Sequence, residues 1–150
     1  MANIRGTASE EIEAPLSEVW AVVEDTESAP HWQGGMDKLD VVERDAEGRP
    51  EVVDTETDAT VRAVKSRVRF AYEPERRLSW EQVKGDLKSV VGSWELEDLG
   101  GGRTRATYSL EADPGRMLGT LIRGPVEGKI RNLLVSARPG ELKARVEGRT

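Results

Sequence analysis

One histidine, four tryptophans and two tyrosines carry most of the reactive or recognition chemistry in this 150-residue chain, which has no cysteine. His31 stands in DTESAPHWQGG beside Trp32, with Asp25 and Glu27 as the neighbouring carboxylates. An imidazole titrates near neutral pH and can serve as a general base. Nucleophilic catalysis also needs a hydroxyl or thiol within reach and a third group to orient the ring. No serine, histidine and acid spacing of that kind is present, so His31 reads as a polar hinge residue between a helix and a sheet. A lone histidine without cysteine leaves too few nitrogen and sulfur ligands for a zinc site. No Asp/Gly loop has calcium-binding spacing, and the glycines at 100–102 lie between two strands, which makes them a hairpin and not a phosphate loop. No metal and no other cofactor is expected.

The remaining candidates are polar or aromatic residues at positions whose strand parity points inward. Glu10 falls on the apolar side of the first strand, where a buried carboxyl would have a raised pKa and could act as a general acid. A twist at the strand end that carries it into water is the alternative. Arg62, Ser66 and Gln82 share the inward parity of their strands and can orient a carbonyl or hydroxyl in an apolar space. Arg62, near a strand end, reaches solvent more naturally. Tyr72 and Tyr108 offer hydroxyls that need a partner once buried. Trp32, Trp80 and Trp94 offer flat aromatic walls. These groups do not compose a convincing catalytic constellation, and no catalytic residue is assigned.

The elements that must position these residues follow from periodicity. Asn3 to Ala14 reads as a strand. Pro15 suits the first position of a helix, and Leu16, Val19, Trp20 and Val23 give that helix one apolar stripe. A second short helical turn is expected over Ser28 to Gln33, stopped by Gly34-Gly35. Six strands follow: Met36 to Arg44, Glu51 to Thr57, Val61 to Tyr72, Leu78 to Val83, Leu87 to Leu96 and Thr104 to Ala112. The turns between them are short, which implies hairpins and an antiparallel meander. Alternation puts Val64, Ser66, Val68, Phe70 and Tyr72 on one face, with Trp80 and Gln82, Trp94, and Tyr108 from the next strands. Lys65, Arg67 and Arg69 fall on the opposite, wet face. After Asp113-Pro114 the chain turns helical, with Leu118, Ile122, Val126, Ile130, Leu133, Leu134 and Ala137 forming a long apolar stripe. Pro125 divides a lead-in helix from the main one, and Pro139-Gly140 is expected to kink or interrupt the latter.

The bulk numbers limit the function classes. The length suits a single domain, residues 1–150, with one sizeable core or a core plus a cavity. A net charge of −6 argues against nucleic acid, and the 22 basic residues are interleaved with acids. No run approaches the ~20 apolar residues of a membrane span, so no stable membrane insertion is expected. MANIRGTASEEIEAP has no apolar signal region, and a cytoplasmic location is the default expectation.

Ile12-x-Ala14-Pro15, Glu18-Val19-Trp20, Asp25, Trp32, Gly92-x-Trp94-x-Leu96 and Glu141-Leu142-Lys143, in that order, resemble the START-like superfamily. This is also called SRPBCC, and its members include the birch-pollen allergen. Within it, the small bacterial polyketide cyclase/dehydrase-like group is most similar. The resemblance spans nearly the whole chain and implies an α+β helix-grip fold: a curved seven-stranded antiparallel sheet wrapped around a long C-terminal helix, with two short helices after the first strand. It also implies a cavity between sheet and helix that binds a hydrophobic small molecule, polyketide, isoprenoid/quinone or lipid-like. The expected lining is Trp32, Val64, Ser66, Val68, Phe70, Tyr72, Trp80, Gln82, Trp94, Tyr108, Leu118, Ile122, Val126, Ile130 and Leu133. Two alternatives stay open: an aromatic polyketide cyclase/dehydratase using groups such as Glu10, Tyr72 and Tyr108, and a protein-interaction module of the chaperone-activator or ribosome-associated type whose partner the sequence does not name.

Overall fold

Alternating apolar and polar residues on β-branched, arginine-rich strands leave the chain one economical solution: a sheet with a dry concave face and a wet convex one. The structure is a computed structural model and describes residues 4–58, 63–119 and 125–148, without the side chains of Met117 and Leu118. Its seven strands are β1 (Ile4–Ile12), β2 (Met36–Arg44), β3 (Pro50–Asp58), β4 (Ala63–Glu73), β5 (Arg77–Gly85), β6 (Ser89–Gly100) and β7 (Arg103–Asp113). They form one antiparallel sheet in the order β1-β7-β6-β5-β4-β3-β2. From β2 to β7 this is the expected meander, and β1 closes it by returning beside β7. The α+β helix-grip architecture expected from the sequence is therefore the one observed.

Helix α1 (Leu16–Glu24) starts after Pro15 and buries Val19, Trp20, Val22 and Val23. A 3₁₀ helix, Thr26–His31, follows directly. It begins two residues before the expected turn, and Gly35 takes a φ of +80° at the entry to β2. The end of β6 also differs. The sequence stopped that strand at Leu96, whereas pairing with β7 continues to Gly100 opposite Arg103. The reversal falls on Gly100, Gly101 and Gly102, all at positive φ, which glycine adopts without steric cost. There the turn is set by backbone permissiveness and not by the last apolar residue.

The C-terminal layer comprises α2 (Gly115–Gly119), α3 (Pro125–Arg131), a π-helical turn (Asn132–Ser136) and α4 (Arg138–Glu147). Pro139 has no N–H to give the carbonyl four residues back. The interruption falls just upstream of it, as a widened turn in which the Ala137 N–H reaches the Asn132 carbonyl at 3.0 Å, and α4 itself runs through Pro139 and Gly140. The helix then resumes, with the Glu141 N–H on the Ala137 carbonyl. The wide turn has a consequence for facing. Ile130, Leu134, Arg138, Leu142 and Val146 recur every four residues and are buried or half-buried. A four-residue step overshoots an α-helical turn by about 40°, and the π turn absorbs part of that drift. Arg138 is thereby turned inward, where an uninterrupted helix would have presented Ala137.

The convex face is held by cross-strand charge. The register sets Arg5 opposite Glu111, Glu11 opposite Arg105, Asp54 opposite Arg67, and Arg77 opposite Glu95, and each pair forms an ion pair. Such exposed pairs contribute only ~0–1 kcal/mol each. Their stronger effect is on register, since a one-residue slip would move every charge to the dry face.

On the concave face Gly92 sits opposite Trp80. A Cβ built on Gly92 would lie 2.4 Å from the Trp80 indole, so the bare backbone is what lets the ring lie flat across β6. Gly92→Ala is expected to destabilise the protein by about 1–3 kcal/mol through overpacking and to shift tryptophan emission, both measured by urea denaturation followed by fluorescence. Wild-type stability and spectrum in the variant would mean that Trp80 does not depend on this contact.

Candidate functional site

The inward residues of β4 to β7, with Trp32, place six aromatic rings in contact. Tyr72 and Phe70 have centroids 6.0 Å apart, Phe70 meets Trp80 edge-on at 6.3 Å, and Trp80 lies 5.5 Å from Tyr108. Tyr108 meets Trp94 edge-on at 4.8 Å, and Trp94 lies 6.3 Å from Trp32 of the segment before β2. Strand register makes these contacts, since Phe70 is paired with Trp80 and Trp94 with Tyr108. Spacings of this kind suit the tilted and edge-to-face geometries that aromatic quadrupoles prefer.

Between this aromatic face and the helices lies a cavity of about 150 Å³. From the sheet it is bordered by Val64, Ser66, Val68, Phe70, Trp80, Trp94 and Tyr108. Trp32, Leu134 and Arg138 border it from the helical side. The wall reaches solvent near Asp25, an exposed residue at the start of the 3₁₀ helix. Ile4, Leu87, Val90, Leu110 and Ala112 add an apolar part to the lining.

Other residues expected on the wall are placed elsewhere. Ile130 is fully buried in a satellite core with Ile4 and Ala112, and Val126 packs against the same cluster. Leu133 approaches Gly35, and Leu134 takes the place on the wall. Tyr72 is held in a structural role: its hydroxyl donates to the Pro50 carbonyl and accepts from Thr26, and the Arg49 guanidinium lies 4.4 Å from its ring centre. Gln82 stands behind the wall, where its carbonyl oxygen accepts from Ser66 at 2.8 Å and its NH₂ donates to the Leu87 carbonyl. Ile122 and Arg62 lie outside the described residues, and the Leu118 side chain is likewise not described.

Two residues considered for proton transfer face water. Glu10 is exposed in register with Ala106, near Lys143 of α4, so the strand end carries it away from the cavity. His31 is exposed at the end of the 3₁₀ helix. Neither borders the cavity.

Sequence reasoning missed the polar end of the site. Arg138 is 2% exposed and belongs to the cavity wall. Its Nη1 donates to Glu141 Oε1 at 2.7 Å, and its Nε is buried without a partner. Glu141 Oε2 accepts from the Gly34 N–H at 2.9 Å, which ties α4 to the turn two residues beyond Trp32. Trp32 carries the second buried donor of the wall without a partner, its Nε1–H. Burial pushes the Tyr108 phenol above its ordinary pKa, opposed by the positive charge of the Arg138 guanidinium. Trp32, Tyr108 and Arg138 thus share the wall of a mainly apolar space, with Glu141 bridging Arg138 to Gly34. The sequence signal was Arg138 itself, eight residues after Ile130 and directly before a proline that forces a wide turn.

The family model described as polyketide cyclase / dehydrase and lipid transport matches residues 12–137. Among solved structures, a START superfamily protein from Mycobacterium smegmatis has a TM-score of 0.83 at 18% identity, over 97% of this chain and 99% of that one. A protein from Thermus thermophilus has a TM-score of 0.81 at 21% identity, over 97% of this chain and 99% of that one. The Zhui aromatase/cyclase from Streptomyces sp. R1128 has a TM-score of 0.74 at 15% identity, over 99% and 96%. At these identities the likeness establishes the START-like fold. No curated protein sequence is a significant match.

The state of Tyr72 predicts a pH dependence. Its pKa is pushed up to about 12, chiefly by burial, against an unfolded value of about 10. The folded protein therefore keeps a proton that the unfolded chain loses. The stability that this supplies is present below about pH 10 and is lost as pH rises towards about 12. Melting temperatures across that window should fall, and Tyr72→Phe should make the fall shallower. Equal slopes for the two proteins would show that the phenol is not protected.

Proposed function

The chain belongs to the polyketide cyclase/dehydrase and lipid transport family, and from that premise we propose that it binds a hydrophobic small molecule in the space between sheet and C-terminal helices. The observation that carries this reading is the cavity itself. Aromatic rings and aliphatic side chains form most of its wall, with Thr55, Thr57, Ser66 and Arg138 among the polar members, the composition expected of a small-molecule site. The ligand-contacting set we propose is Trp32, Val64, Ser66, Val68, Phe70, Trp80, Trp94, Tyr108, Leu134 and Arg138. Tyr72 and Gln82 support that wall from behind.

Size narrows the ligand. Drug-sized pockets run to roughly 300–1,000 Å³, so about 150 Å³ favours a compact molecule of one or two fused rings over an extended acyl chain. Binding would derive mainly from buried apolar area, at about 25 cal/mol per Å². Carriage or sequestration fits this wall better than cyclisation or dehydration. The exposed Glu10 and the structurally committed Tyr72 take away two of the three acid/base groups that a cyclase was expected to use.

No helix among the described residues is long and apolar enough to cross a membrane. The proposed site includes one exposed wall residue, Asp25.

Tryptophan fluorescence provides the test. Planar aromatic ketones, quinones and, as a contrast, fatty acids are titrated into the protein and its Trp80→Phe and Trp94→Phe variants. Saturable quenching by the compact ring compounds, with a smaller amplitude in each variant, is expected. No saturable response to any compound would defeat the binding reading and favour an interaction module.

A further inference from the structure

Two residues of the cavity wall, Arg138 and Trp32, each carry a buried donor without a partner, Nε and Nε1, and the two donors have a common chemical requirement. Buried N–H groups are nearly always paired, and one left unmade is costly. Here both lie at the same end of the cavity, because Glu141 joins them: one of its oxygens takes Arg138, and the other takes the Gly34 N–H just after Trp32. Three polar side chains on or behind the sheet wall, Ser66, Gln82 and Tyr72, already have protein partners. Ser66 bonds Gln82, Gln82 bonds Leu87, and Tyr72 bonds Pro50 and Thr26. The end that holds Arg138 and Trp32 thus carries two buried donors without a partner.

We propose that this end is an acceptor subsite, and that the ligand presents to it an uncharged oxygen acceptor, a ketone or quinone carbonyl, with its rings lying on Trp80, Trp94 and Tyr108. This rests on the binding reading above and specifies its ligand. Both free groups are N–H donors, so the partner must supply lone pairs. A carbonyl oxygen does so without bringing a hydrogen that itself needs a partner. A carboxylate is the poorer match. Glu141 already neutralises Arg138 at 2.7 Å, and a second carboxylate on the same guanidinium would be forced close to the first in a poorly screened space. Arg138 is therefore a specificity-determining binding residue, buried to receive an oxygen atom and not to hold a net charge.

Three molecules of nearly equal shape separate these possibilities: 2-acetylnaphthalene, which carries a carbonyl; 2-isopropylnaphthalene, which has no acceptor; and 2-naphthoate, which is anionic. Their affinities for the full chain are measured by calorimetry, and again for Arg138→Met and Trp32→Phe. The ketone should bind the wild type roughly tenfold more tightly than the hydrocarbon, as one buried hydrogen bond would give, and more tightly than the carboxylate. Arg138→Met should bring the ketone-to-hydrocarbon ratio towards one. Trp32→Phe, which keeps an aromatic ring and preserves Arg138–Glu141, should lower the same ratio even if Arg138→Met folds poorly. Equal wild-type affinities for ketone and hydrocarbon would overturn the subsite but leave the binding reading intact. So would a ratio unmoved by both substitutions, or naphthoate binding most tightly. Absence of binding by all three would overturn both.

Discussion

The concave face of the sheet is broader than the helical layer that covers it, and the site follows from that mismatch. The principal contacts of the C-terminal helical segments are with β1 and β7, those of α1 with β6, β7 and α4, and those of the 3₁₀ helix with β2. The inward residues of β4 and β5 lie between these two contact zones. Their apolar and aromatic side chains are shielded from water by the curvature of the sheet but are not filled from above. A space is left over Val68, Phe70 and Trp80, and its far wall is Leu134 and Arg138. Interiors normally pack to crystal-like density, so a gap of this size in an aromatic face is a feature of the architecture and not of one loose side chain.

Within that frame small residues have large effects. Gly92 allows Trp80 to lie across β6 towards Tyr108, and this joins the rings of β4 and β5 to those of β6 and β7. Gly6 has a similar role on β1, where an added Cβ would stand 3.0 Å from Val135 of the π turn. The sheet can approach the helical layer there and stay apart from it over β4 and β5. The polar end depends on Pro139. By forcing a wide turn it sends Arg138 inward, and Glu141 one helical turn later reaches back to hold both Arg138 and Gly34.

Much of this was legible in the sequence. Two-residue alternation assigned Val64, Ser66, Val68, Phe70, Trp80, Trp94 and Tyr108 to the inner face, because a strand can present residues only to one side or the other. Turn residues gave the meander, and Pro15 gave the start of α1. Parity does not say which inner residues a helix will cover. For that reason Tyr72 and Gln82 carried the right facing but stand behind the wall, and Glu10 carried the right parity but ends in water beside α4. Among the described residues the helical stripe was also readable from Val126 to Leu134. Past that point the reading failed for Arg138, because a uniform 3.6-residue period cannot anticipate a π turn, and because an arginine in an apolar stripe is more often solvated than buried. The residue that breaks the pattern is the one on which ligand choice is argued to depend, in line with the expectation that local rules fail at functional positions.

The central claim is that the space over β4 and β5 is open to an apolar guest and is not closed by side-chain adjustment. A crystal structure determined under xenon pressure tests it most directly, since xenon enters dry apolar cavities without needing a specific polar contact. The account predicts ordered xenon among Val68, Trp80, Tyr108 and Leu134, with those side chains unmoved from their positions in the unpressurised crystal. A xenon-free interior, in which Phe70, Trp80 and Leu134 have closed upon one another, would contradict it.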